Sequence, residues 1–204
     1  MVGGTIRGMS LQRVCVFCGS SAGGPGEYRE AAQTLARELA ARGIGLVFGG
    51  GRVGLMGVLA DTMLAVGGHV IGVIPHALLA REVAHERLPD LRVVSSMHER
   101  KAMMAELSDA FIAMPGGFGT FEEFCEVVTW TQLGLHRKRC GLLNVRGFYD
   151  PLLALFDRAV VEGFLNPQNR AIVSAHTDVA ALLQELSRAA ETPEPKWIAS
   201  SEQT

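Results

Sequence analysis

The sequence predicts a single α/β domain built on a doubly wound parallel sheet. Three observations carry this expectation. Short apolar runs alternate with amphipathic stretches along most of the chain, which is the pattern of successive βαβ units. The apolar runs near 13–18, 44–48 and 110–114 each lead directly into a glycine-rich loop. Sheets of this type hold their ligands at the carboxyl ends of the strands, where such loops fall. Glycine is also in excess, with 24 of 204 residues against roughly 7% in average usage. A Rossmann-like arrangement follows.

Taken in order, Arg13-Val14-Cys15-Val16-Phe17 is the first strand, and Cys18-Gly19-Ser20-Ser21-Ala22-Gly23-Gly24-Pro25-Gly26 is its loop. A helix over 27–42 follows and stops at Gly43, a suitable C-cap. Ile44 to Phe48 reads as a buried strand; Gly49-Gly50-Gly51-Arg52-Val53-Gly54-Leu55-Met56-Gly57 follows it and feeds a helix over 54–66. Strands near 69–74 and 91–95 flank an irregular segment after Ile74-Pro75 that carries Glu82 and His85. Next come a helix over 97–107, a strand at 110–114, a helix over 118–134, a strand at 140–145 and a helix over 149–163. A strand–helix piece between 171 and 189 closes the domain. Residues 1–12 read as an N-terminal extension, 13–189 as the nucleotide-binding α/β domain, and 190–204, with Pro193 and Pro195, as a mobile tail.

Composition narrows the function classes. Hydrophobic residues make up 48% and charged residues 20%, an ordinary globular mixture. A net charge of −2 and the lack of a basic run argue against nucleic-acid binding. Residues 1–12 lack a cationic start followed by an apolar core, so no signal peptide is expected. No apolar run approaches the ~20 residues of a membrane span. A cytoplasmic protein without a membrane partner is expected. Cys15 and Cys18 form a CxxC, but Cys125 and Cys140 do not make a second one. Reduced, mostly buried thiols are therefore expected, and no metal site.

The most informative stretch follows Asp109-Ala110-Phe111-Ile112-Ala113: Met114-Pro115-Gly116-Gly117-Phe118-Gly119-Thr120-Phe121-Glu122-Glu123. A strand, a glycine loop and a helix start aim free N–H groups and a helix dipole at one spot, which suits phosphate. The loops at Gly19-Ser20 and Gly50-Gly51, with Met56 just beyond, are further substrate-binding candidates. None of the three loops matches GxGxxG with a distal acidic residue, nor GxxxxGK[ST].

Glu122, Glu123 and Glu126 stand in the first turns of the helix after the third loop. Glu123 has two readings: a carboxylate for chemistry on a phosphorylated substrate, or the N3 member of a capping box with Thr120 at the N-cap. Ser96 and Glu99 form a second such box. Arg100 and Lys101 follow it, where cations oppose the helix dipole. They face an anionic substrate, or they are a solvated surface pair. His85 and His98 read as surface histidines, without an obvious triad partner.

These residues resemble the LONELY GUY (LOG) family, the cytokinin riboside 5′-monophosphate phosphoribohydrolases, many of which were labelled lysine decarboxylases. The resemblance covers about 11–187 and rests on Val14 to Ser21, Gly49 to Gly57, Met97-His98-Glu99-Arg100-Lys101, and Pro115 to Glu123 as PGGxGTxxE. It implies hydrolysis of the N-glycosidic bond of a purine nucleoside 5′-monophosphate, AMP included, to free base and ribose 5-phosphate. It maps catalysis onto Arg100 and Glu123. It maps nucleotide contacts onto Glu82, Arg100, Lys101, Gly117, Phe118, Gly119, Thr120, Phe121, Glu122, Glu123 and Thr129. It further implies a homodimer and no organic cofactor. The helix carrying Trp130 and Leu133, apolar on more than one face, is the expected interface.

The decarboxylase label conflicts with the chain's chemistry. That reaction holds pyridoxal phosphate on a lysine, and only Lys101, Lys138 and Lys196 exist here. The competing class is a non-catalytic carrier of a nucleotide or pterin-type cofactor on the same scaffold. Such a carrier has no need of the Arg100/Glu123 pair.

Overall fold

In the computed structural model, which describes residues 11–79 and 84–188, the strands are β1 (Arg13–Phe17), β2 (Gly45–Phe48), β3 (Val70–Pro75), β4 (Asp90–Val94), β5 (Ala110–Ala113), β6 (Arg139–Leu143) and β7 (Val173–His176). The helices are α1 (Gly26–Ala41), α2 (Gly54–Ala65), α3 (Met97–Glu106), α4 (Phe118–Gln132), α5 (Asp150–Val161), α6 (Pro167–Arg170) and α7 (Val179–Leu186). The strands form one sheet in the order β4-β3-β2-β1-β5-β6-β7. Every pairing in it is parallel. The expected Rossmann-like α/β architecture is present. The short helix α6 falls between the predicted helix over 149–163 and the closing strand–helix piece, where no element is predicted.

Apolar strands without alternation form this sheet because both of its faces are covered by helices. β2 and β5 are buried at every position. Their side chains still divide by period two. Val14, Val16, Leu46, Phe48, Ala110 and Ile112 enter one core, with residues of α1, α2 and α7. Cys15, Phe17, Val47, Phe111 and Ala113 enter the other, with Met104, Phe124, Val127 and Tyr149. Each large apolar side chain so buried contributes about 1.5–3 kcal/mol. Leu11, which the sequence reading left in an extension, is buried in the first core. Residues 1–10 and 189–204 lie outside the described residues, as does Glu82.

The chain runs outward from β1 through β2 and β3 to β4, then returns to the other side of β1 with β5. β1 and β5 therefore flank the switch point, where the loops after them diverge and leave a crevice. Gly19 N–H donates to the Pro115 carbonyl across that crevice at 3.1 Å. Leu55 N–H donates to the Gly19 carbonyl at 3.0 Å, tying the start of α2 to the same point.

Below the crevice, His136 links α4 to β6. Its ring packs on Phe111 at 5.3 Å and Trp130 at 6.4 Å. Its Nδ1 accepts the Lys138 N–H at 3.2 Å. Burial, aided by the Lys138 charge, pushes His136 down to about 4. Below its ordinary value of about 6.5 the unfolded chain takes up a proton that the folded chain refuses, so the imidazole's contribution to stability falls as pH drops from about 6.5 to about 4. His136→Asn keeps an acceptor near the Lys138 N–H and is expected to lose less Tm than wild type between about pH 7 and about pH 4.5. Calorimetric melts at both pH values check this, and equal losses would count against it.

Candidate active site

Three glycine loops meet at the carboxyl end of β1. Gly116 is confined there. A Cβ on it would come 2.8 Å from the Thr120 Cβ and 2.9 Å from the Gly19 nitrogen. Gly54 has φ +62° and lies against the backbone of Ser20 and Ser21. These contacts hold the loops closer together than any side chain would allow.

The helices behind the loops start in an unusual way. α1, α2 and α4 have Pro25, Val53 and Gly117 at their N-caps, and none has a side-chain cap. By contrast, α3, α6 and α7 are capped by Ser96, Asn166 and Asp178. In α4 the first intrahelical bond runs from Phe121 N–H to the Gly117 carbonyl at 3.1 Å. The N–H groups of Phe118, Gly119 and Thr120 precede it, and an α-helix offers them no internal partner. Gly117, Phe118 and Gly119 are exposed.

The capping box expected of Thr120 and Glu123 is not formed. α4 starts at Phe118, so Thr120 is its third residue and Glu123 its sixth. Glycine and proline enter this helix directly, and Thr120, only 4% exposed, packs its side chain on Gly116. Glu123 is half-buried and stands beyond the third helical position, where a capping box puts its glutamate. The second box is present in altered form. Ser96 Oγ accepts from Glu99 N–H at 3.1 Å, but the Glu99 carboxylate takes the N–H and hydroxyl of Ser95, at 2.8 and 2.6 Å.

Arg100 is 4% exposed, so the surface-pair reading fails. Its Nε donates to the Val73 carbonyl at 3.2 Å and its Nη2 to the Gly49 carbonyl at 2.9 Å. Both acceptors lie just past the last pair of the β2–β3 ladder, Phe48 with Gly72, while β3 itself continues to Pro75 against β4. A Cβ on Gly49 would overlap the guanidinium. Lys101 is also buried, and its Nζ donates to Glu122 at 2.5 Å and to Glu126 at 3.1 Å. Burial alone would lower the Lys101 pKa, but these bonds outweigh it and raise it.

The three α4 carboxylates are thereby sorted. Glu122 and Glu126, four apart on one helix face, neutralise Lys101. Glu123 faces elsewhere. Burial raises the thiols of Cys15 and Cys18, and the charge of Glu123 raises both further, while Arg100 acts on Cys15 in the opposite sense. Glu123 and Arg100 thus both act on Cys15 in β1, in opposite senses. All four cysteines are free, and three of them, Cys15, Cys18 and Cys140, are buried. Among the described residues no group of His, Cys, Asp or Glu is arranged to hold a metal ion.

The other expected site residues divide. Gly19 is buried at the crevice with Ser20 exposed beside it, Gly50 and Gly51 are buried on the side of β3 and Ala84, and Met56 is buried against Gly49. Phe121 is partly spent on the second core, stacked on Phe148 at 6.3 Å. Thr129 lies six residues beyond Glu123, roughly 9 Å along the helix, with its hydroxyl on the Cys125 carbonyl. The structure does not bring it to the crevice. Sequence reasoning missed Gly49 as the seat of Arg100 and misplaced His85, which is completely buried. The run of three glycines was the available signal for the first; the second had none.

Such a crevice defines a doubly wound α/β protein with uncapped helix starts beside its switch point. The chain belongs to the LOG family: residues 56–186 match the family model described as "Possible lysine decarboxylase". It is 55% identical over 168 residues to the cytokinin riboside 5′-monophosphate phosphoribohydrolase LOG of Oryza sativa subsp. japonica, covering 82% of this chain and 69% of that one. It is 51% identical over 176 residues to the LOG1 enzyme of the same name from Arabidopsis thaliana, covering 86% and 83%. Among solved structures it is similar to the molybdenum cofactor binding protein of Rippkaea orientalis, with a TM-score of 0.64 at 19% identity, covering 87% of this chain and 96% of that one. The molybdenum cofactor carrier protein of Chlamydomonas reinhardtii gives 0.63 at 20% identity, covering 85% and 96%. At that identity the likeness is one of fold.

Gly49 is not among the residues with positive φ, so Gly49→Ala changes the space at Arg100 without straining the backbone. The flexible end of Arg100 is expected to give way. Turnover should fall at least ~10-fold while the variant melts within a few degrees of wild type. Steady-state kinetics beside a thermal melt check this, and full activity would show that Arg100 does not need its seat.

Proposed function

We propose that this chain hydrolyses the N-glycosidic bond of purine nucleoside 5′-monophosphates, AMP and cytokinin-type nucleotides among them, giving free base and ribose 5-phosphate. The observation that carries the reading is the sorting of the α4 carboxylates: Glu122 and Glu126 engage Lys101, while Glu123, near the uncapped start of the same helix, acts on the buried thiols of Cys15 and Cys18. The family's phosphoribohydrolases from rice and Arabidopsis support the same reaction class.

The 5′-phosphate sits on the open N–H groups of Phe118, Gly119 and Thr120, with the Gly19-Ser20 and Gly50-Gly51 loops around it. That contact fixes the ribose beside Glu123. As the C1′–N bond breaks, its electron pair leaves with the base and positive charge develops on the sugar. The Glu123 carboxylate stabilises that charge and directs the water whose oxygen bonds to C1′. The water's proton offsets the charge on the departing base. Arg100, rigid on two carbonyls, orients Glu123 or contacts the nucleotide.

The decarboxylase description finds no suitable lysine among the described residues. Lys101 is held protonated by two carboxylates, whereas a Schiff base requires a neutral amine. Lys138 precedes β6 and therefore lies at the opposite edge of the sheet, donating to the Ala105 carbonyl.

The protein acts in the cytoplasm as a homodimer. Leu133 and Leu135 beyond α4 are 50% and 69% exposed, and Leu155, Val161 and Phe164 on and after α5 are 61%, 77% and 80% exposed. Trp130 packs inward on His136, so its neighbours carry the interface. Light scattering at micromolar concentration is expected to give the dimer mass, and a monomer mass would remove this element.

The pure protein is expected to release adenine from AMP without added metal or cofactor, and to act far more weakly on adenosine, which lacks the group that the loops bind. Similar kcat/KM for the two would overturn the phosphate cradle. Glu123→Gln should melt near wild type, still bind AMP and lose at least ~100-fold in kcat, whereas Glu122→Gln loses much less. Arg100→Ala should cripple turnover in a folded protein. An unimpaired Glu123→Gln enzyme would favour the carrier reading.

A further inference from the structure

Gly49, Gly50 and Gly51 carry no side chains, so whatever fixes this loop must act through its backbone. The Gly49 carbonyl is taken by Arg100 at 2.9 Å. The next carbonyl, that of Gly50, accepts the His85 N–H at 3.0 Å, and Gly51 forms an isolated antiparallel bridge with Ala84. The segment 84–88 thus holds the loop at the two residues after the one that Arg100 holds. Gly50 has φ +76° and its Cα lies 2.9 Å from where a Cβ on Gly72 would stand, so the loop is wedged against β3.

The segment in turn is held by the His85 side chain. The ring is 0% exposed, and its Nε2 lies 3.1 Å from Asp61 Oδ1 on α2. Arg87 holds the same carboxylate from its exposed side. An ionised Asp61 only accepts, so Nε2 carries the proton. Nδ1 is then an acceptor, and it is buried without a partner among the described residues. A leucine here would fill space without leaving a buried acceptor unsatisfied. The bond to Asp61 is what the imidazole supplies and a leucine does not.

We propose that His85, through Asp61, is a positioning residue for Arg100. It anchors the strap that fixes Gly49–Gly51, and so fixes the carbonyl on which the guanidinium rests. The effect on turnover rests on the hydrolase reading above; the effect on the loop does not.

The test compares His85→Ala, His85→Asn and His85→Gln in the full chain. The glutamine amide nitrogen reaches the place of Nε2 and can donate to Asp61, whereas that of asparagine falls near Nδ1 and cannot. Expected are a fall in kcat for AMP of ~10- to 100-fold, the scale of a small misplacement, in the Ala and Asn variants, with KM changed less, and substantial recovery in the Gln variant. Hydrogen exchange without ligand should quicken in peptides covering Gly49–Gly51 in the Ala and Asn variants, and not in peptides covering β5. Asp61→Ala should reproduce the exchange pattern, and adding it to His85→Gln should abolish the recovery. If His85→Ala fails to fold, the Asp61 arms decide. Unchanged kcat and exchange in His85→Ala, equal recovery by Asn and Gln, or exchange that quickens equally across the sheet would each overturn the proposal. If the wild type does not cleave AMP, the hydrolase reading fails and the exchange arms still decide the positioning.

Discussion

A buried guanidinium seated on two backbone carbonyls beside the end of β2 is the constraint on which the rest of this site depends. Taking an arginine out of water is costly unless its donors are met. Arg100 meets them at Val73 and Gly49. β2 pairs with β3 only as far as Phe48 and Gly72, which leaves both acceptors beyond that ladder, and the guanidinium fits only because residue 49 has no Cβ. The site therefore begins with the ordering of the sheet. Glycine at 49 serves the side chain of another element as much as any ligand.

The second organising feature is the distribution of charge along α4. Three glutamates within five residues would repel one another and confuse any assignment of roles. Lys101 resolves this by engaging Glu122 and Glu126 together, tying α3 to α4 and removing both carboxylates from contention. Glu123, one position along, is not part of that pair and acts instead on the buried thiols of Cys15 and Cys18. Helix geometry alone separates the residues, since neighbours in sequence stand about 100° apart around the axis.

Most of the fold was legible because both signals it needs are local. Apolar runs such as Leu46 to Phe48 and Ala110 to Ala113 have no polar face, which fits a strand covered on both sides. Gly43 marks the end of α1. What was not legible was three-dimensional. Thr120 and Glu123 have the spacing of a capping box, but the preceding glycines adopt helix-start geometry three residues early. Arg100 and Lys101 look like solvated cations until α3 is set against the ends of β2 and β3 and against α4. His85 looks exposed because nothing near it in sequence reveals Asp61, 24 residues away on α2. The described candidate residues fall mostly on the loops and helix starts beyond the carboxyl ends of the strands, with Thr129 set apart on α4, but their partners were not foreseen.

The contrast between capped and uncapped helices has an evolutionary consequence. Introducing serine at 117, or asparagine at 53, would be an ordinary way to stabilise a helix start by about 1 kcal/mol. A search for greater thermal stability would find such changes readily. At α4 and α2, however, the new side chain would accept from the same N–H groups that face the crevice. The fold therefore retains an unclaimed margin of stability at the edge of the sheet where its ligand belongs, and this margin can be closed from inside the chain only by silencing the crevice.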